Sequence, residues 1–309
     1  MPIKSRQRVV LPRMKVAGFT FIRNALLYDY PVVEAITSIL PLCDHFVVAV
    51  GRSLDDTLDL VRGIGDPKIH ILETEWDDSL REGGQVLAAE TNKAFDAIPP
   101  EYDWCFYIQA DECVHENDLP AIRAGMEKYL DDPATEGLLF HYRHFYGSYD
   151  YIGASRRWYR REVRIIRNNK KIRSWKDAQG FRISGAAGEA APRKLRVRLI
   201  PAHIHHYGWV KHPAAQQRKQ ETFNRLWHSD EAVRDMVGRQ DTYAYDGLEP
   251  LERFGGTHPA VMQPRIRAMN WQFAGDPAAI RWSWKDRISN SLEKNFGWRP
   301  GEYRNYRLI

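Results

Sequence analysis

The amino-acid sequence predicts an α/β protein built on an open sheet with helices on both faces, and three observations predict it. Strand-length apolar runs alternate with segments of helical periodicity four times in the first 130 residues. The connections between the runs have the length that parallel crossovers need. With 309 residues, 43% hydrophobic and 28% charged, the chain can also bury a large core. The same figures exclude the disordered and fibrous classes.

Each element follows from its residues. Lys15 to Ile22 is an apolar run of strand length, ended by Arg23-Asn24, and reads as a buried first strand. Pro31 suits a first helical turn, and Val32, Val33, Ile36, Ile39 and Leu40 recur at helical spacing until Pro41. His45 to Val50 is the second strand. It feeds the turn Gly51-Arg52-Ser53-Leu54-Asp55-Asp56-Thr57, where Ser53 and Asp56 resemble a capping box for a helix with Leu58 and Val61 inward. Lys68 to Leu72 is a short third strand. Val86, Leu87, Ala94, Phe95 and Ile98 mark a helix before Pro99-Pro100, and Asp103 to Ile108 is the fourth strand. From Glu136 the runs shorten to Gly137–Tyr142, Val163–Arg167, Leu195–Ile200 and Ala202–Tyr207, predicting a mixed or antiparallel continuation of the sheet. Beyond Pro213 a polar helix runs to about His228, followed by Gly-, Pro- and Trp-rich segments of low periodicity. The predicted organisation is a basic arm over residues 1–13, a main domain over 14–212, and a helical or irregular extension over 213–309.

Charge narrows the classes of partner. No run approaches the roughly 20 apolar residues of a membrane-spanning helix, and Met1 to Lys15 lacks a signal-peptide core, so a soluble, cytoplasmic protein is expected. Cys43, Cys105 and Cys113 are odd in number and lack paired spacing, which predicts reduced, packed thiols. The net charge of +5 conceals an asymmetry. Residues 1–155 hold 14 Lys/Arg against 25 Asp/Glu, a net of −11, and residues 156–309 hold 31 against 15, a net of +16. A polyanionic partner is expected for the second half: nucleic acid, a membrane surface or a phosphorylated small molecule. Nine Lys/Arg fall within residues 156–173, with Trp158 and Tyr159 interleaved. Arg164 faces opposite to Val163 and Ile165 in a strand, so part of this run reads as the solvated face of a sheet, and no recognised nucleic-acid module accompanies it.

In open α/β sheets, ligands bind beyond the carboxyl ends of the strands, here Ile22–Asn24, Gly51–Asp56 and Gln109–Glu112. Asp111 and Glu112 offer hard oxygen ligands suited to Mg²⁺ or Mn²⁺ at such an end, or else an acidic start to the next helix, capped by Asn117. In Ala202-His203-Ile204-His205-His206-Tyr207-Gly208-Trp209, strand alternation puts His203 and His205 on one face and His206 on the other, so at most two reach one ion. Hydrogen-bonded structural histidines are the alternative. Six of the ten tryptophans (Trp209, Trp227, Trp271, Trp282, Trp284 and Trp298) lie in or just before the extension, where core packing competes with stacking on a carbohydrate.

Over roughly residues 14–212 these features together resemble the family 2 glycosyltransferases of the GT-A fold. The loop Thr20 to Asn24, the turn Gly51 to Thr57, the helix from Gly83-Gly84 to Asn92-Lys93-Ala94, the segment Gln109-Ala110-Asp111-Glu112 in place of the metal-binding Asp-x-Asp, and the downstream His206 carry the resemblance. Two departures stand out: Gln109 replaces the first Asp of the motif, and the acceptor-side Glu-Asp pair is absent.

The resemblance implies a GT-A (Rossmann-like) open mixed sheet and an inverting transfer of sugar from a nucleoside diphosphate sugar to an acceptor hydroxyl. It places the enzyme in surface polysaccharide or glycoconjugate synthesis, with Mn²⁺ or Mg²⁺ as cofactor. Donor contacts are then Thr20, Phe21 and Asn24 around the base, Asp55 or Asp56 near the base or ribose, and Gln109 with Asp111. Metal ligands come from Asp111, Glu112, His206 and His203. Asp177, in the loop Trp175 to Gly180, is the leading base for deprotonating the acceptor, or else a carboxylate capping that loop; Glu189, Glu162 and Asp150 are weaker candidates. The partners implied are the nucleotide sugar and a carbohydrate or lipid-linked acceptor, not nucleic acid, with peripheral membrane contact and a homodimer as roles for the extension. Two other readings are a nucleotidyltransferase, against which the lack of glycine in residues 23–30 counts, and a non-catalytic polyanion-binding protein using residues 156–173.

Overall fold

The structure is a computed structural model that describes residues 14–80, 82–184, 191–225, 242–245, 250–273, 284–299 and 301–309. The first four predicted strands form as β1 (Val16–Ile22), β2 (His45–Gly51), β3 (Ile69–Thr74) and β4 (Trp104–Tyr107). All are parallel, in the order β3-β2-β1-β4. The intervening helices α1 (Val32–Ile39), α2 (Thr57–Arg62) and α3 (Gln85–Asp96) match the periodic segments. Two apolar clusters cover the two faces. One packs Val16, Ile36, Phe46, Trp104 and Phe140; the other packs Phe19, Phe95, Tyr107 and Phe181. Burial on both faces is why these strands read as continuous apolar runs rather than alternating ones.

After β4 come a short β5 (Glu112–Val114) and helix α4 (Leu119–Lys128), then β6 (Gly137–Tyr146), β7 (Tyr151–Gly153) and β8 (Arg161–Arg167). The sheet turns antiparallel at the β4–β8 pairing and runs β3-β2-β1-β4-β8-β6-β7, a mixed open sheet flanked by helices. A separate small sheet is made by β9 (Ile172–Trp175), β10 (Gly180–Ile183) and β11 (Arg193–Lys194).

The two strands expected over 195–207 are one long strand, β12 (Arg196–Trp209), parallel to β6 and antiparallel to β5. Its register shifts between Leu199 and His203, where Pro201 has no N–H to give the ladder, so the interruption bends the strand without ending it. Helix α5 (Pro213–Arg225) follows, then β13 (Leu251–Arg253), α6 (Gln263–Arg267), α7 (Trp284–Phe296) and β14 (Arg307–Leu308). β13 extends the sheet beside β7, and β14 pairs with the start of β12. Among the described residues no helix is long and apolar enough to cross a membrane. Trp271 packs inward and donates to the Gly147 carbonyl, whereas Trp284 and Trp298 are exposed. Trp227 and Trp282 lie outside the described residues.

Three local expectations need correction. Ser53 does not cap α2: its hydroxyl donates to the Gly51 carbonyl and accepts from Asn24 N–H, while Asp56 holds the cap position without a side-chain bond. Asn117 does not cap α4, because Asp118 takes the cap position. The basic run 156–173 is no simple solvated face either. Arg164 is fully buried against Glu112, Arg167 donates to the carbonyls of Tyr129, Asp132 and Thr135, and Lys170 to those of Phe95 and Ile98.

Candidate active site

The chain leaves β4 through Gln109 and Ala110, and the two carboxylates that follow go opposite ways. Glu112 turns inward. Arg164 grips it through two 2.8 Å bonds, Tyr142 donates its hydroxyl at 2.7 Å and Gln109 its backbone N–H at 3.1 Å. Both ends of this ion pair are sealed from solvent. Four donors occupy the carboxylate, so Glu112 is not placed to ligate a metal, and the expectation that it would is corrected.

Asp111 turns toward the crevice. Its Oδ2 accepts from the Lys219 ammonium at 3.1 Å, and its Oδ1 lies 3.7 Å from His206 Nε2. Burial alone would raise the Asp111 pKa, but the Lys219 ammonium, which also donates a hydrogen bond to it, outweighs burial and holds the carboxyl below its ordinary range. The His206 tautomer follows from its neighbours. His144 Nε2 is 2.7 Å from the Tyr159 carbonyl, which only accepts, so that nitrogen carries the proton. Burial pushes the His144 pKa well down, so the ring is neutral and its Nδ1 accepts from His206 Nδ1 at 3.1 Å. Burial lowers the His206 pKa as well, against the pull of Asp111. A neutral His206 then aims the lone pair of Nε2 at a carboxylate oxygen.

Two acceptors facing each other at 3.7 Å call for a cation between them, and Gly208 keeps the space open. A Cβ on Gly208 would lie 2.7 Å from both Asp111 Oδ2 and His206 Nε2. A carboxylate oxygen and an imidazole nitrogen suit Mn²⁺ or Mg²⁺ completed by substrate oxygens. Among the described residues no third His, Cys, Asp or Glu joins this pair as a metal-holding group. His203 is not part of it. Strand alternation turns it to the other face, where its ring stands 3.6 Å from the Asp118 carboxylate and its backbone N–H donates to the same group.

Sequence reasoning missed the cations. Lys219 sits on α5, which docks on the loop after β1 through Tyr28 to Thr222 and Arg218 to the Leu27 carbonyl. Lys211 is fully buried, with its ammonium 4.4 Å from the Tyr30 ring centre, and burial drives its pKa well down. Nothing in a polar helix 108 residues beyond Asp111 marks one lysine among its neighbours. His144 was equally unmarked, because it acts through register: parallel pairing of β6 with β12 sets it opposite His206.

Of the expected donor contacts, Phe21 packs with Trp76, Leu80, Val86, Leu87 and Ala178 in a small apolar cluster. The Trp76 ring lies 5.8 Å from that of Phe21 at a tilt of 58°, carries the Arg23 guanidinium at 5.3 Å, and buries an indole N–H that has no partner. The sequence reading overlooked this tryptophan. The remaining expected donor contacts lie as follows. Thr20 is sealed within the sheet and Asp56 is exposed on α2. Asp55 accepts from the backbone N–H groups of Leu27 and Thr57 and from the Thr57 hydroxyl, pinning two loops together. Asn24, at φ 56°, gives its side-chain oxygen to Leu54 N–H in the same loop structure.

Asp177 lies in a tight loop between Lys176 and Ala178, both at positive φ. Gln109 Nε2 donates to the Ala178 carbonyl at 3.2 Å, which joins this loop to the exit of β4. Burial raises the Asp177 pKa. Glu162 is buried beside Arg164 and pushed up to about 7 by burial, with Asn305 donating to it. Asp150 lies by the β7–β13 edge, where its carbonyl accepts from Phe254. Glu189 lies outside the described residues.

No family model matches the chain, and no curated protein matches it. Solved structures resemble it at low overlap. S. aureus TarS 1–349 shares 14% identity over 72% of this chain and 69% of its own, with a TM-score of 0.34, and has also been solved in complex with UDP. Glucosyl-3-phosphoglycerate synthase from Mycobacterium tuberculosis, solved with Mn²⁺, UDP and phosphoglyceric acid, shares 14% identity over 43% of each chain, with a TM-score of 0.28. This chain therefore spans less than half of that protein.

Proposed function

We propose that the protein is a glycosyltransferase that moves a sugar from a nucleoside diphosphate sugar to an acceptor hydroxyl with inversion, in glycoconjugate or polysaccharide synthesis. The observation that carries this reading is the Asp111–His206 pair, facing across the space kept by Gly208 at the carboxyl end of β4, with Lys219 and Lys211 beside it. An anionic group entering this corner meets positive charge on one side and a cation-binding pair on the other.

Asp111 Oδ1 and His206 Nε2 would hold the divalent ion, which neutralises charge developing on a departing diphosphate. The chain's own groups do the rest. Lys219 adds positive charge beside Asp111, and His144 holds His206 in the tautomer that presents Nε2. The partly buried Phe21 and Trp76 rings, beside the carboxyl end of β1, offer an apolar surface to a nucleobase. Asp177 takes the proton of the acceptor hydroxyl, and burial makes it a stronger base than an exposed aspartate. The loop after β1, pinned by Asp55 and without glycine, lacks the phosphate-cradling form a nucleotidyltransferase needs there.

Calorimetry with UDP and GDP, with and without Mn²⁺, tests the reading. A nucleoside diphosphate should bind, and more tightly with the ion; no binding of either would overturn it. The pH profile tests the base. A raised Asp177 pKa moves the acid limb of kcat/KM above the ordinary aspartate value of about 4, with activity rising as pH climbs through it. An unchanged limb in Asp177→Glu together with full activity in Asp177→Asn would remove Asp177 from this role.

A further inference from the structure

A second cavity lies beside the crevice, between the start of β8 and the C-terminal segment, and encloses about 320 Å³. Its walls carry Arg156, Arg157, Arg160, Arg161 and Arg299 against only two carboxylates, Glu162 and Glu302. Glu302 is engaged by Arg160 and Arg304, Glu293 behind the wall pairs with Arg160 and Arg299, and Arg161 buries an Nε that has no hydrogen-bond partner, so five arginines meet three carboxylates. The lining is therefore cationic in excess.

Two residues tie this cavity to the active site. Tyr159 lines it and gives its carbonyl to His144, the ring that orients His206. Gln179 lines it too, with its N–H held by Asp177 and its carbonyl by Arg164. A group anchored here stands next to both the loop of the base and the support of the cation-binding pair. A second basic groove, at Arg193, Arg196 and Arg307, shares Tyr306 with this cavity but is lined by neither Tyr159 nor Gln179.

We infer that this cavity binds a phosphate ester on the acceptor and so selects acceptors that carry one. Forked guanidinium groups match phosphate oxygens two at a time, and the Trp158 and Tyr303 rings provide apolar wall for the carbon skeleton attached to it. As an acceptor site it rests on the glycosyl-transfer reading; as a phosphate site it does not.

The test titrates the full chain with glycerol 3-phosphate and with glycerol, and measures sedimentation with phosphatidylglycerol and phosphatidylcholine vesicles, in wild type and in a double variant, Arg157→Gln with Arg161→Gln. Glycerol 3-phosphate should bind while glycerol does not, and the double variant should weaken binding about tenfold, as expected for loss of one or two charge-assisted contacts. UDP binding should not change. Variant-sensitive sedimentation with phosphatidylglycerol alone would place the phosphate in a lipid headgroup and also support the site. No binding of either phosphate probe, or binding equal in wild type and variant, would overturn the inference even if UDP binds. Phosphate binding without any nucleotide binding would remove the acceptor role together with the glycosyl-transfer reading.

Discussion

Asp111 and Glu112 are neighbours in the chain and belong to two different kinds of charged cluster. Around Glu112 the accounting is complete: Arg164, Tyr142 and the Gln109 N–H satisfy a carboxylate sealed from water. Around Asp111 it is not, because an imidazole lone pair and a carboxylate oxygen face each other with no donor between them. The difference teaches that burial of charge does not by itself mark function. A fully satisfied cluster holds the fold, and an incompletely satisfied one is left for a ligand.

The largest effect should come from breaking the satisfied cluster. Arg164→Met leaves a buried carboxylate without its partner and should cost about 3–5 kcal/mol of stability, measured by urea unfolding. A loss under about 1 kcal/mol would mean that Glu112 is held by something else. Asp111→Asn removes a partner of the largely buried Lys219 and should cost less stability than Arg164→Met, while cutting Mn²⁺-dependent nucleotide affinity and turnover by about 100-fold. Full turnover in that variant would erase the distinction drawn between the two carboxylates.

Glu162, beside Arg164, tests the same contrast through pH. Its folded pKa of about 7 lies above the unfolded value of about 4.3, so the folded state holds the extra proton between these limits. Its contribution to stability is present below the unfolded pKa and is lost as pH rises through the folded one. Glu162→Gln should therefore abolish a decline of about 3 kcal/mol between pH 4.5 and 7.5, and an identical pH dependence in the variant would show that Glu162 ionises normally. The mildest change is Gly208→Ala. Its methyl group crowds Asp111 and His206, so Mn²⁺ should strengthen nucleotide binding by about tenfold less than in wild type, with stability little altered. An unchanged response to Mn²⁺ would place the ion elsewhere.

The parallel half of the fold was legible because β1 to β4 are buried on both faces and so print continuous apolar runs, while α1 and α3 print helical spacing between them. The short strands β5, β9, β10, β11, β13 and β14 were not legible. They are two to four residues long, and their pairing is decided by partners far along the chain. The site divides in the same way. Asp111 and His206 could be suspected from a strand end and a histidine cluster. Strand alternation already set His203 apart, whereas the inward turn of Glu112 required knowing that Arg164 points into the sheet, and Arg164 reads as solvent-facing by local pattern. Trp76, Lys211 and Lys219 left no periodic trace, since each reaches the site from a loop or a polar helix.

The 108 residues between Asp111 and Lys219 also have a meaning in time. At synthesis rates of about 5–20 residues per second, the carboxylate exists for roughly 5–20 s before its ammonium partner leaves the ribosome. Over that interval the nascent chain is the acidic half alone, and β6 waits for β12, the strand that carries His206 to it. The four parallel strands can collapse early, but the crevice acquires its positive side only when the second half arrives. During synthesis the site can assemble only after β12 and Lys219 have emerged, and a failed β12 insertion would leave the Asp111 corner without His206.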